Sequence, residues 1–310
     1  MPIPAPLREN LRLPAIAAPM FLVSGPELVI ETCKAGMIGT FPALNARSTE
    51  SFEAWIDEIE AARAAHGACA SYGVNLIVHK TNPRLEADLD VVSRRKVPLV
   101  ITSLGAVPDL VEKVHAHGGK VFHDVITLRH AKKAAQAGVD GLILVCAGAG
   151  GHAGTASPFA LIEEVRSFFS GTIILAGSIS TGRHVAAARM MGADLAYMGT
   201  RFIATAESRA VEDYKQMIHD AQVADIVYTD SVSGVNANFL RESLIRAGLD
   251  PQNLPPKKDL DMAGEAKAWR DIWSAGHGVA SIRDVPHAGE LVARLEDEYK
   301  AAFAETTALF

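Results

Sequence analysis

The 310-residue chain holds only three cysteines, Cys33, Cys69 and Cys146, far apart and odd in number. No C-x-x-C pair occurs, which leaves neither a disulfide framework nor a thiolate zinc site. The three read as buried apolar thiols, the ordinary state of free cysteine. No apolar run reaches the ~18 residues that span a bilayer. The opening stretch, "MPIPAPLRENLRLPA", sets proline and charge where a signal peptide would be apolar, so a cytoplasmic protein is expected. Basic blocks and aromatic–basic interleaving are missing as well, and the net charge is −6. Neither a nucleic-acid nor a membrane partner is therefore expected. No G-x-G-x-x-G follows a strand-like run, so a Rossmann site for nicotinamide is absent. Histidines and carboxylates do not cluster at strand ends, and no metal is expected.

What is present is a repeated unit. Eight short runs rich in apolar residues follow one another: "AIAAPM" (15–20), "MIGTFPAL" (37–44), "YGVNLI" (72–77), "VPLVITS" (97–103), "KVFHDV" (120–125), "GLILVCA" (141–147), "TIILAG" (172–177) and "LAYMGT" (195–200). Most are nearly continuous in apolar residues, as parallel strands covered on both faces are. Helical stretches lie between them. "STESFEAWIDEIEAARAAHG" (48–67) opens on capping residues, carries acids early and ends on Gly67. "LRHAKKAAQAGVDG" and "GRHVAAARMMGADL" end alike, with Gly138 and Gly192 each followed by a small residue and an aspartate. Glycine there suits the left-handed position that turns a helix back toward a strand.

Eight such units imply an α/β protein, a closed (β/α)8 TIM barrel, because crossovers between parallel strands are right-handed and successive units lie side by side. The rhythm stops after the eighth run. Residues 1–206 and 269–310 are expected to form the barrel. Residues 207–268, with no further strand series, are expected to form a small, mostly helical subdomain over its mouth. A last amphipathic helix is expected at 287–304.

The active site of such a barrel lies on the loops that follow the strands, with phosphate usually bound after the seventh and eighth. Those loops are "AGSISTG" (176–182) and "MGTRF" (198–202). Gly177, Ser178, Gly199 and Thr200 there offer backbone N–H groups ahead of helix starts, either as ordinary tight turns or as a phosphate cradle. The first run ends in "AAPM", where Met20 reads as core or as a cushion under a flat ring. Asn75 sits inside an apolar run, and a buried amide needs partners. It either ties the barrel mouth together or hydrogen-bonds a ligand ring. After the sixth run comes "CAGAGGHAG" (146–154), with four glycines, three alanines and a lone imidazole, His152. Glycine orders at high entropic cost, so the gain must lie in what a bare backbone can approach. His152 would then stand at the edge of a flat ligand.

"GAGGHAG", "AGSISTG", "GADLAYMGTRF", "AAPM" and the late "SAGHGV" together resemble the nitronate monooxygenases, long called 2-nitropropane dioxygenases. The resemblance spans most of the chain. It implies an FMN-dependent TIM barrel with an added helical substrate domain. Ala18 and Met20 would touch the flavin ring by their backbones, and Asn75 would hydrogen-bond it. Gly151 would pass beside the ring, and Gly177, Ser178, Gly199 and Thr200 would cradle the phosphate. His152 matches the active-site histidine of that family. Two positions depart from some members: Asp124 stands where they carry a lysine, and His277, on the substrate side, where they carry a glutamine. The implied activity is oxidation of alkyl nitronates, or nitroalkanes, by oxygen to a carbonyl compound and nitrite. A homodimer is left open. The rival readings are an NAD(P)H-dependent flavin reductase acting on quinones or enoyl thioesters, and a non-catalytic flavin-binding protein.

Overall fold

The computed structural model describes residues 3–105, 107–257 and 269–308. Six parallel strands come first: β1 (Ala15–Ala17), β2 (Ile38–Pro42), β3 (Tyr72–Ile77), β4 (Leu99–Ser103), β5 (Lys120–Val125) and β6 (Gly141–Val145). A two-residue strand, β7 (Gly151–His152), precedes β8 (Thr172–Ala176) and β9 (Leu195–Met198). β1 to β6, β8 and β9 form a closed barrel, sealed where Ala15 of β1 pairs with Ala196 of β9. The eight expected runs are thus the eight barrel strands. Several end early, as β1 does at Ala17, because their last residues already belong to the loops at the mouth.

Side chains alternate along each strand between the barrel interior and its outer face. Ile16, Ile38, Leu99, Ile101, Phe122, Ile143, Ile174 and Leu195 fill the interior. The outward set, with Val74, Val100, Val121, Leu142, Ile173 and Ala196 among it, packs against the helices. Gly141 has a steric reason: a methyl there would stand 2.5 Å from the Phe122 ring.

Local signals set the helix ends. Ser48 caps the helix Thr49–His66 by accepting from Ser51 N–H, and Gly67 ends it at φ 88°. Gly138 and Gly192 are left-handed, at φ 85° and 99°. The aspartates that follow them do one job twice. Asp140 Oδ2 accepts from Val121 N–H at 2.9 Å, and Asp194 Oδ2 from Ile173 N–H at 2.8 Å. Each ties the end of a helix to the start of the preceding barrel strand.

After β9 come the helix Glu212–Asp220, strands β10 (Ile226–Thr229) and β11 (Ala237–Leu240), and the helix Arg241–Arg246. The segment expected to be mostly helical thus also holds two short strands. β10 and β11 pair antiparallel, and β11 pairs with β7, matching Ala237 to His152 and Asn238 to Gly151. This pairing draws 226–240 onto the glycine loop above the barrel. Residues 258–268 of the expected subdomain lie outside the described residues. The last helix, Ala288–Thr307, packs along the helix Gly182–Met190. All three cysteines are buried. Among the described residues, no helix is long and apolar enough to cross a membrane.

The contact between those two helices is tight at Gly182. Its N–H donates to Glu298 Oε2 at 2.7 Å, and a Cβ would run into the Leu295 carbonyl oxygen and to 2.6 Å from Tyr299 N. Backbone cannot swing aside as a side-chain tip can. Gly182→Ala is therefore expected to destabilise the protein by about 1–3 kcal/mol, the usual scale of overpacking. A denaturant midpoint equal to that of the wild type would show that the last helix is not seated this closely.

Candidate active site

The same alternation that fills the barrel with isoleucine and phenylalanine turns polar at the top layer. Above Ile101 comes Ser103, above Phe122 comes Asp124, above Leu195 comes Tyr197, and β3 brings Asn75, the register partner of Ile101. These four residues line a cavity of about 1260 Å³ at the carboxyl ends of the strands. Asn75, Ser103 and Asp124 are wired across three strands. Asn75 Nδ2 donates to Ser103 Oγ at 2.8 Å and to the Ile101 carbonyl at 3.3 Å. Ser103 in turn donates to Asp124 Oδ2 at 2.5 Å. Asp124 Oδ1 is enclosed and has no hydrogen-bond partner among the described residues. Burial pushes the Asp124 carboxyl up to about 6, against the lowering influence of the Ser103 hydrogen bond and of His152. Asn75 does tie the mouth together, and it faces the cavity as well.

The loop after β6 is held at every turn although it has almost no side chains. Cys146 N–H donates to the Ala176 carbonyl at 3.0 Å, and Gly154 N–H to Val145 at 3.1 Å. The Gly148 carbonyl accepts from His277 N–H at 2.9 Å and from Ser178 N–H at 3.3 Å. Buried Asn238 donates to the Ala149 carbonyl at 2.7 Å, and Gly151 N–H donates to Ser274 Oγ at 2.8 Å. Gly148 and Gly151 are left-handed, at φ 80° and 71°. A methyl on Gly150 would stand 2.9 Å from Gly276 N. The glycines let two backbones meet.

His152 is half-buried on the cavity wall rather than solvated in a turn. Its backbone pairs with Ala237, and its ring meets Trp269 edge-on at 5.6 Å, Trp269 itself stacking on Phe239. Ser233 Oγ lies 3.5 Å from Nε2. Tyr214 and Trp273, stacked at 4.9 Å, line the cavity alongside.

The loops after β8 and β9, the seventh and eighth barrel strands, face the cavity too. Gly177, at φ 129°, has no room for a side chain, since a Cβ would lie 2.8 Å from the Ala147 carbonyl. Ser178 follows at φ 58°, a strained conformation for a residue other than glycine. Ser180 Oγ is enclosed and without a partner among the described residues. Thr200 Oγ1 accepts from Gly276 N–H at 2.9 Å and keeps its own proton to donate. Gly199 differs from Gly177. A Cβ there would meet only Ala18 and Met20, at 3.7 and 3.9 Å. An enclosed hydroxyl without a partner among the described residues, a Thr200 proton left to donate and a bare backbone at Gly199 fit the phosphate of a flavin.

The structure thus brings Ala18, Met20, Asn75, Gly151, His152, Gly177, Ser178, Gly199 and Thr200 around one cavity. His277 is the residue expected on the substrate side. It is not among the cavity-lining residues, and it packs beside Gly148, where a methyl would stand 3.1 Å from its Nδ1. Sequence reading passed over Ser103, Tyr197, Ser180, Tyr214, Trp269 and Trp273. Strand parity would have found the first two, and Ser180 lies inside "AGSISTG". The aromatic residues carry no local signal.

A model of the family described as nitronate monooxygenase matches residues 43–298. The chain belongs to the nitronate monooxygenase family. It is similar to the nitronate monooxygenase of Paraburkholderia phytofirmans, 26% identical over 346 residues that cover 94% of this chain and 93% of that one. In fold it is similar to a nitroalkane oxidase from Streptomyces ansochromogenes, with a TM-score of 0.83 and 23% identity over 97% of this chain and all of that one. FabK from Thermotoga maritima superposes with a TM-score of 0.81 at 24% identity, covering 98% of this chain and 97% of its own. Nitronate monooxygenases are flavin-dependent oxidoreductases, and this chain is one by family.

For this nitronate monooxygenase family member, Gly199 gives a clean test of the cradle. Its φ of −100° suits any residue, and a Cβ there would make ordinary contacts with Ala18 and Met20, at 3.7 and 3.9 Å. Gly199→Val is expected to hold stability within about 1 kcal/mol of wild type, as at sites without cavity, strain or lost bonds. The added side chain should fill the phosphate approach, so the purified protein should be colourless. A yellow variant with full flavin content would place the phosphate elsewhere.

Proposed function

We propose that the chain is an FMN-dependent enzyme that oxidises alkyl nitronates with oxygen to a carbonyl compound and nitrite. The observation that carries this reading is His152. Backbone pairing to Ala237 fixes it on the wall of a cavity that holds both a phosphate cradle and a polar floor. One cradle, built from Gly177, Ser178, Ser180, Gly199 and Thr200, matches a single phosphate and so favours FMN over FAD. Ala18, Met20 and Gly151 would lie against the ring. Both hydrogens of Asn75 Nδ2 serve Ser103 and Ile101, so its Oδ1 is left to accept from a ring N–H. Bound FMN supplies the electron-transfer chemistry.

The chain's own residues do the rest. A nitronate arrives already deprotonated, so no strong base is needed, and His152 is placed to hold its charge by hydrogen bonding. A neutral nitroalkane must first lose its α-proton, which a ring nitrogen of His152 would take. Tyr214, Trp269 and Trp273 give the alkyl part an aromatic roof.

His152→Ala should keep FMN, because other loops hold it. Turnover should fall by ~10²–10⁴-fold, the scale of a lost acid–base or electrostatic group. A loss confined to neutral nitroalkane assigns proton abstraction; an equal loss with preformed ethyl nitronate assigns charge stabilisation. Wild-type rates with both substrates would remove His152 from the site. Anaerobic mixing tests the activity itself: ethyl nitronate should bleach the flavin, and bleaching by NADH instead would mark a reductase.

A further inference from the structure

Five charged side chains are among those lining the cavity. Four are cationic, Arg84, Lys133, Arg209 and Arg270, with Arg84, Arg209 and Arg270 ion-paired to Asp88, Glu27 and Asp271, and the fifth is Asp124. In a chain of net charge −6, that lining favours an anion. Asp124 stands in conflict with it, a carboxylate on the floor of a cavity built for negative charge.

We propose that Asp124 resolves the conflict by taking up one proton whenever an anion binds in this cavity. Geometry assigns the oxygen. Ser103 already donates to Oδ2 at 2.5 Å, so the added proton belongs on Oδ1, the enclosed oxygen without a partner among the described residues. Once protonated, Oδ1 becomes a donor instead of an acceptor. No bond other than O–H forms, and the proton comes from solvent. Each element around Asp124 supports the exchange. β3 brings the Asn75 amide and β4 the Ser103 hydroxyl; β6 brings apolar Ile143, its register partner. β7 brings the charge of His152 and β9 the phenol of Tyr197, whose own ionisation burial and then Asp124 hold far off. A carboxyl here is neither paired with a fixed cation nor open to bulk water.

The direction of the pH dependence follows. Burial, the largest influence, raises the Asp124 carboxyl from its ordinary value to about 6. An anion beside it raises it further. Below about 6 the proton is present before binding. Above that value it must be captured, so affinity weakens by up to about tenfold per pH unit. The inference deepens the proposed function, since a nitronate is an anion. Binding is read without turnover, however, so the two can fail separately.

Nitrite serves as the probe, its binding to the flavin-loaded protein followed by the fluorescence of Trp269 and Trp273 and, in weak buffer, by a pH indicator. Wild type should take up about one proton per nitrite near pH 7.5 and almost none near pH 5. Asp124→Asn should take up none at either pH. Ser103→Ala removes the hydrogen bond that lowers the Asp124 carboxyl, so the pH at which affinity begins to fall should move upward. His152→Asn, which removes the imidazole on the cavity wall, should leave proton uptake per bound nitrite in place even where nitrite affinity falls. Uptake that survives in Asp124→Asn, vanishes in His152→Asn, or keeps its midpoint in Ser103→Ala would overturn the proposal. So would the absence of nitrite binding across the whole range. Should Asp124→Asn fail to fold, the Ser103 and His152 variants decide the matter.

Discussion

Two backbones meet at the mouth of this barrel with no side chain between them. A Cβ on Gly150 would lie 2.9 Å from Gly276 N, and one on Gly276 would lie 2.7 Å from Gly150 N. That contact joins the loop after β6 to the segment after Trp273, and most of the candidate site hangs from it. Gly276 N–H reaches Thr200 Oγ1, the next residue's N–H reaches the Gly148 carbonyl, and Gly148 receives Ser178 N–H. The phosphate loops and the histidine loop are therefore one hydrogen-bonded assembly. Ordering so many glycines costs more entropy than any other sequence would. Packing cannot offset that cost, so hydrogen bonds must, at roughly 1 kcal/mol net for each. Asn238 and Ser274 contribute two of these from outside the loop.

The polar floor obeys a different constraint. Inside the barrel, burial is complete and the residues are apolar; one step higher, the same strand parity presents amide, hydroxyl and carboxyl groups. A buried polar group without a partner costs about 1–3 kcal/mol, and the Asn75–Ser103–Asp124 chain satisfies nearly all of its members by linking them. Two enclosed side-chain oxygens on the cavity wall remain unpaired among the described residues: Asp124 Oδ1 on the floor and Ser180 Oγ beside the loop after β8.

The barrel was legible because its signals are local. An apolar run, a capped helix and a glycine followed by an aspartate each act within a few residues, and Asp140 and Asp194 do the same work in two units. The glycine and hydroxyl loops were legible for the same reason, since bare backbone at a strand end is itself the feature. β10 and β11 were not. Their pairing partner is a two-residue strand that exists only because β11 lies beside it, and no window of sequence contains both. His277 also depends on a distant contact. The motif "SAGHGV" reaches the site through its backbone, with His277 N–H on Gly148, while its imidazole packs outside the cavity lining.

That geometry divides the labour in a way the fold alone would not suggest. The loops that fit a phosphate belong to the barrel and act through backbone and hydroxyl groups, which tolerate change in the surrounding side chains. His152 follows a barrel strand, but its position depends on pairing with β11 and on the edge of Trp269. A substitution in the segment above the mouth is thus transmitted to the imidazole before it is felt at the phosphate loops. Selection for a new substrate can rework that segment and re-aim His152 while leaving the phosphate cradle untouched. The reverse does not hold. A change at Gly276 disturbs both at once, because its N–H reaches Thr200 while its α-carbon faces Gly150. The contact between glycines is the point where the loop carrying Thr200 and the placement of His152 cannot be altered separately.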